Sequence, residues 1–94
     1  LVEYVMCPAK ISTEIENKAY EIALKTSEEF DMVGLLAVEF FLTNEDDILI
    51  NEVAPRPHNS GHFTLDACNV SQFDQQVLCL TNDNLLDIIL EQFV

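Results

Sequence analysis

The sequence predicts an α+β fold in which an antiparallel β-hairpin is packed with helices. Three observations predict it. Ile15, Ala19, Ile22, Ala23, Thr26 and Phe30 recur on one helical face. Two apolar runs, Gly34 to Thr43 and Ile48 to Val53, flank the polar turn Asn44-Glu45-Asp46-Asp47. Pro55, Pro57 and Gly61 then interrupt regular structure before helical periodicity resumes.

Taken in order, Leu1 to Met6 reads as a short strand that Pro8 ends. Ser12 and Thr13 offer an N-cap, and Thr13-x-x-Glu16 fits a capping box. A helix over residues 13–30 follows, supported by the i,i+4 pairs Glu14–Lys18 and Glu21–Lys25. Both hairpin strands carry apolar groups on both faces, which predicts a sheet covered on both sides. Ala54 to Gly61 reads as an irregular loop. Phe63 to Asn69 predicts a short helix, and Ser71 caps another running to about Leu80. Leu85, Leu86, Ile88, Ile89 and Phe93 predict a final helix capped near Asn82 or Asp83.

Composition narrows the function. The 94 residues suit one small domain or a piece of a larger one, and 49% apolar content excludes a disordered chain. The start at Leu1, without an initiator Met and inside a strand-like run, fits a segment of something longer. Four Lys/Arg against seventeen Asp/Glu give a net charge of -13, which disfavours nucleic acid and anionic membrane as partners. After Lys25, Arg56 is the only Lys or Arg. An anion held there needs Arg56, the two histidines, backbone N–H groups or a metal. Three cysteines with no C-x-x-C predict small buried thiols in a reducing, cytoplasmic compartment. No apolar run reaches the length of a membrane span, and no signal peptide is visible.

Glu39 and Glu52 each interrupt one of the two hydrophobic runs. A symmetric turn centred between Glu45 and Asp46 pairs Thr43 with Ile48, Phe41 with Ile50 and Glu39 with Glu52. The two carboxylates then meet on one face, Cβ atoms ~5 Å apart, where like charges repel. Three arrangements relieve that repulsion. A divalent cation such as Mg²⁺ can sit between the acids, taking its remaining ligands from water and phosphates. The pair can share a proton and serve as a general acid and base. Or both groups can stand in solvent as hydrated charge. Placed within apolar runs, the acids favour the split metal clamp.

The loop "NEVAPRPHNSGH" sets Asn51, Arg56, His58, Asn59, Ser60 and His62 beside that clamp. Arg suits two-pronged recognition of phosphate or carboxylate, and His and Asn donate hydrogen bonds. Arg56 could equally pair with one of the many acids. Asn51 is expected to point away from the Glu52 face. His58 and His62 have the i,i+4 spacing of a helical zinc site, but Pro57 and Gly61 argue against that helix. Ser60 lacks a nucleophile-elbow context, and no Gly-rich phosphate loop is present.

"GLLAVEFF…ILINEVAPRPHNSGHFTLDACNVSQFDQQ" resembles the C-terminal part of the ATP-grasp domain of the N5-carboxyaminoimidazole ribonucleotide synthetase family, the ATPase subunit of phosphoribosylaminoimidazole carboxylase. The similarity runs from about Leu1 to Gln76. Formate-dependent glycinamide ribonucleotide transformylases share a Pro-Arg-Pro-His loop but usually continue Asp-Thr-Gly. The resemblance implies Glu39 and Glu52 as Mg²⁺ ligands, with Mn²⁺ as an alternative ion. It implies Asn51 and Glu52 as an ATP-contacting pair and Arg56 as the basic catalytic group near phosphate transfer. His58, Asn59 and His62, with Arg56, would meet the imidazole nucleotide and carboxyphosphate. The implied reaction uses ATP and bicarbonate to carboxylate 5-aminoimidazole ribonucleotide in purine biosynthesis, in a cytoplasmic enzyme expected to be a homodimer. Residues 77–94 depart from the family pattern, and the adenine hinge and flexible phosphate loop are missing. An ATP-grasp segment, inactive alone, is therefore expected; the alternatives are a non-catalytic metal- or partner-binding domain derived from the same fold, or the related formate-dependent glycinamide ribonucleotide transformylase.

Overall fold

The structure, a computed structural model, describes residues 5–82 and 84–92. The element order is helix α1 (Thr13–Glu29), strands β1 (Ala37–Leu42) and β2 (Ile48–Ala54), a 3-10 turn (Asn59–Gly61), and helices α2 (Thr64–Ala67) and α3 (Gln72–Leu80). The predicted α+β architecture is present, with one two-stranded antiparallel sheet among the described residues. Most of the strand predicted over Leu1 to Met6 lies outside the described residues.

Helix α1 begins at Thr13, as predicted, and is capped by the residue before the predicted capping box. Ser12 Oγ accepts the N–H of Ile15 at 3.2 Å, so Ser12 is the cap and the Thr13–Glu16 box does not form. Neither Glu14–Lys18 nor Glu21–Lys25 closes into an ion pair. Their side chains are exposed, where solvation and rotamer freedom outweigh the weak attraction. Asp31, with φ of 49°, turns the chain out of the helix.

The hairpin forms with a different register near its turn. Phe40 faces Ile50, Phe41 faces Leu49 and Leu42 faces Ile48. The predicted Phe41–Ile50 and Thr43–Ile48 pairs do not occur. The reason lies in the turn: Asp46 N–H bonds to Thr43 O at 3.1 Å and Thr43 N–H to Asp47 O at 2.9 Å. Asp46 adopts φ of 63°, so the connection has an odd, three-residue loop rather than a symmetric one. Thr43 Oγ1 stabilises it by accepting from Asp47 N at 3.0 Å. The one-residue offset is cancelled between Glu39 and Phe40, where the register shifts and β2 carries one extra residue, Asn51. Beyond that bulge Glu39 faces Glu52, as the sequence predicts.

The sheet is not covered on both sides by the described residues. Phe41 and Leu49 on one face are 58% and 54% exposed, and Ile50 on the other is 51% exposed. The buried centre lies instead where the end of β2, the histidine loop and α3 meet, and comprises Ala54, Ala67, Val70, His58, Ser71 and Gln75. The three cysteines are free thiols, each half-buried rather than part of that centre.

Helix α3 starts in a complete capping box. Ser71 Oγ accepts from Asp74 N–H, and Asp74 Oδ2 accepts from Ser71 N–H, both at 3.1 Å. Asn82, with φ of 58°, ends the run. The predicted final helix is absent: residues 84–92 are extended or irregular, and Leu90 bridges Cys68 in antiparallel fashion. Side-chain amides capture this backbone. Gln75 Nε2 donates to Leu86 O at 2.6 Å and Gln75 Oε1 accepts from Leu86 N at 3.2 Å. Asn69 Oδ1 accepts from Ile89 N at 2.7 Å, while Asn69 Nδ2 donates to Asp87 O at 2.9 Å. Those long-range bonds override the local helical pattern. Asp83, one of its two predicted caps, lies outside the described residues. Among the described residues, no helix is long and apolar enough to cross a membrane.

Candidate functional site

Beyond the bulge, the end of the hairpin and the following loop enclose an open depression of about 550 Å³. Glu39, Glu52, Arg56, Pro57, His58, Asn59 and His62 line it. All of them except Pro57 are candidate site residues of the sequence. The cluster forms because Pro55 and Pro57 stop β2 and swing the chain back: Arg56 N–H bonds to Ala54 O at 2.9 Å, closing a tight turn around Pro55.

Glu39, Glu52 and His58 each bring one potential ligand atom to a point where all lie within 4.8 Å of one another. Glu39 is half-buried, Glu52 exposed and His58 buried. Two hard carboxylate oxygens suit Mg²⁺ or Mn²⁺, and no thiol belongs to the set. The described residues therefore fit a small divalent cation through Glu39 and Glu52.

Asn51 does not point away from this face. Its Nδ2 donates to Glu39 Oε2 at 2.6 Å, because the bulge turns the extra residue toward Glu39. An amide donor on one carboxylate oxygen leaves the other oriented and available. Asn51 is thus a support for Glu39 as well as a candidate nucleotide contact.

His58 Nδ1 accepts the main-chain N–H of Ser60 at 3.3 Å and lies 2.9 Å from Ser60 Oγ. That contact assigns the proton of the neutral ring to Nε2, which sits 3.7 Å from Glu52 Oε1. His58 is accordingly a hydrogen-bond donor beside the acids rather than a third ligand. His58 and His62 do not form a helical zinc pair: they flank the 3-10 turn as its two caps. Ser60 serves this turn through its main-chain N–H and its hydroxyl, both directed at His58 Nδ1.

Arg56 is exposed, and its Nη1 donates to Pro57 O at 3.0 Å. Among the described residues no carboxylate lies within ion-pair distance of its guanidinium, despite seventeen acids in the chain. Its charge is left for something else. His62 stacks on Phe73, ring centroids 5.8 Å apart and planes at 22°.

Gln72 carries no sequence signal of a role beyond its place in the Ser-Gln-Phe motif. Its Oε1 accepts from His58 N at 3.0 Å, and its Nε2 donates to His58 O at 2.9 Å. A Cβ on Gly61 would lie 2.5 Å from Gln72 Oε1, so a glycine there makes room for this contact. Pattern reading misses such a residue, because an amide at the first turn of a helix looks like ordinary surface.

The hairpin with its carboxylate pair, the Pro-Arg-Pro-His loop and the helices around them make an α+β segment, and the chain belongs to the ATP-grasp family. The family's sequence profile matches residues 1–73. Over 70 residues the chain is 53% identical to N5-carboxyaminoimidazole ribonucleotide synthase of Bacillus subtilis, covering 74% of this chain and 18% of that protein. The solved N5-carboxyaminoimidazole ribonucleotide synthetase of Thermotoga maritima superposes with a TM-score of 0.89 at 42% identity, covering 94% of this chain and 24% of that one. The Aspergillus clavatus N5-carboxyaminoimidazole synthase, solved with ADP and 5-aminoimidazole ribonucleotide, gives 0.80 at 39% identity, covering 86% and 22%. The chain spans less than a quarter of the length of each of these relatives.

Proposed function

We propose that the chain is the C-terminal part of the ATP-grasp domain of an ATP-dependent carbon–nitrogen ligase. The complete protein would carboxylate 5-aminoimidazole ribonucleotide with bicarbonate, giving N5-carboxyaminoimidazole ribonucleotide, ADP and phosphate in purine biosynthesis. The observation that carries this reading is one depression holding the Glu39–Glu52 pair beside an unpaired Arg56.

Glu39 and Glu52 would hold Mg²⁺, or Mn²⁺, which when bound offsets charge on the nucleotide phosphates. Asn51 orients Glu39 and would contact the nucleotide. A bicarbonate oxygen attacks the γ-phosphorus, and the bond to the β-bridging oxygen breaks to release ADP. Arg56 faces the phosphoryl oxygens, whose negative charge a guanidinium matches in a two-pronged fashion. The substrate amine then takes the carboxyl group from carboxyphosphate, and phosphate leaves. His58, Asn59 and His62 supply hydrogen-bond donors for the anionic substrates. Free thiols support a cytoplasmic setting. The exposed hairpin faces support burial against further protein, in the same molecule and across a homodimer.

The test is ATP hydrolysis by the complete protein, dependent on both bicarbonate and 5-aminoimidazole ribonucleotide. Glu52→Gln is expected to lower kcat/KM by on the order of 100-fold or more. A rate left intact by that substitution would sink the assigned role.

A further inference from the structure

The geometry points to Gln72 as a positioning residue that sets the tautomer of His62, making its imidazole a neutral donor to an anionic oxygen of the bound nucleotide substrate. The identity of that substrate rests on the function proposed above; the tautomer does not.

The orientation of the Gln72 amide is fixed by the main chain of His58. One end meets a donor, the N–H at 3.0 Å, and the other meets an acceptor, the carbonyl at 2.9 Å. Only one assignment of oxygen and nitrogen satisfies both. The same Nε2 lies 2.9 Å from His62 Nδ1. An amide nitrogen can only donate, so Nδ1 must accept, and the proton of the neutral ring falls on Nε2. Among the described residues Nε2 of His62 has no protein partner, while His62 lines the depression beside Arg56 and Asn59.

The rest of the local structure holds this arrangement in place. Phe73, the next residue, stacks on the imidazole. Thr64 Oγ1 donates to Gly61 O at 2.6 Å and accepts from Gln72 N at 2.9 Å, joining the loop to the start of α3. Gly61 has no Cβ to displace the amide. In a chain of charge -13, neutral donors recognise an anion without demanding further cations.

The experiment is ring ¹⁵N NMR of the complete protein, labelled in histidine, with His62→Asn to assign the resonance. His62 is expected to show an unprotonated Nδ1 and a protonated Nε2 at neutral pH. Gln72→Glu keeps the side-chain shape and one acceptor oxygen but replaces the donor with an acceptor. In that variant His62 Nδ1 is expected to become protonated, and KM for 5-aminoimidazole ribonucleotide to rise about tenfold relative to KM for ATP. A protonated Nδ1 in the unsubstituted protein, or ring shifts that Gln72→Glu leaves unmoved, would overturn the assignment. Expected ring shifts in a protein without nucleotide-dependent ATP hydrolysis would overturn the proposed substrate and retain the role of Gln72 in setting the tautomer.

Discussion

Asn51 donates a 2.6 Å hydrogen bond to Glu39 across the hairpin, although the two are not paired in the strand ladder. Glu39 faces Glu52 in that ladder; Asn51 is the extra residue of the bulge beside them. One irregularity therefore does two things. It restores the pairing of the acids after an odd-length turn, and it brings an amide donor against one of them.

Asn51→Leu removes that donor and keeps the approximate size of the side chain. Glu39 then loses the contact that fixes its carboxylate. Groups that orient metal ligands typically change affinity by about 10–100-fold. Mn²⁺ titration of the complete protein, followed by electron paramagnetic resonance, is expected to show weakening in that range. An unchanged affinity would mean that Glu39 does not depend on this hydrogen bond to bind.

Gly34→Ala tests the entry to the hairpin. Gly34 has φ of +109°, and an added Cβ would lie 2.9 Å from Gln76 Oε1. That same oxygen accepts from Leu35 N at 2.7 Å. The substitution combines backbone strain with a displaced amide, and about 1–3 kcal/mol of stability is expected to be lost. Thermal unfolding of the complete protein checks this through a lower Tm.

Cys7 supplies a pH dependence. Burial pushes its thiol above the ordinary range, and the negative charge of a Cys68 thiolate pushes it the same way. The folded state therefore prefers the neutral thiol. Its contribution to stability is present below the ordinary thiol range and is lost as pH rises through the elevated folded value. Alkylation by iodoacetamide at pH 8 is expected to be slower at Cys7 than at a free cysteine. Peptide mapping by mass spectrometry reads both rates.

The site was more legible than the path to it. Glu39 and Glu52 interrupt apolar runs, and their pairing follows from the hairpin pattern. Yet the symmetric turn used to derive that pairing is not the turn that forms. A left-handed Asp46 shifts the register by one residue, and the bulge at Asn51 shifts it back. Neither feature has a strong sequence signal, since Asp and Asn fit many turns. The loop residues were legible because Arg, His and Asn cluster between prolines in a chain otherwise poor in cations.

The final helix failed for a different reason. Leu85, Leu86, Ile88 and Ile89 have a plausible helical spacing, but the partners that decide their conformation are Gln75 and Asn69 on distant segments. Local periodicity carries no information about those amides. The same holds for Gln72, whose importance becomes visible only once the His58 backbone lies against it.

Three glutamines of α3 each grip a separate stretch of main chain: Gln72 at His58, Gln75 at Leu86 and Gln76 at Leu35. None of these joints carries a formal charge. Dissolved electrolyte, which screens attractions between exposed ions beyond about 10 Å at 0.1 M, has little purchase on them. Changes in ionic strength should thus act on how charged ligands approach this surface, while the framework beneath keeps its shape.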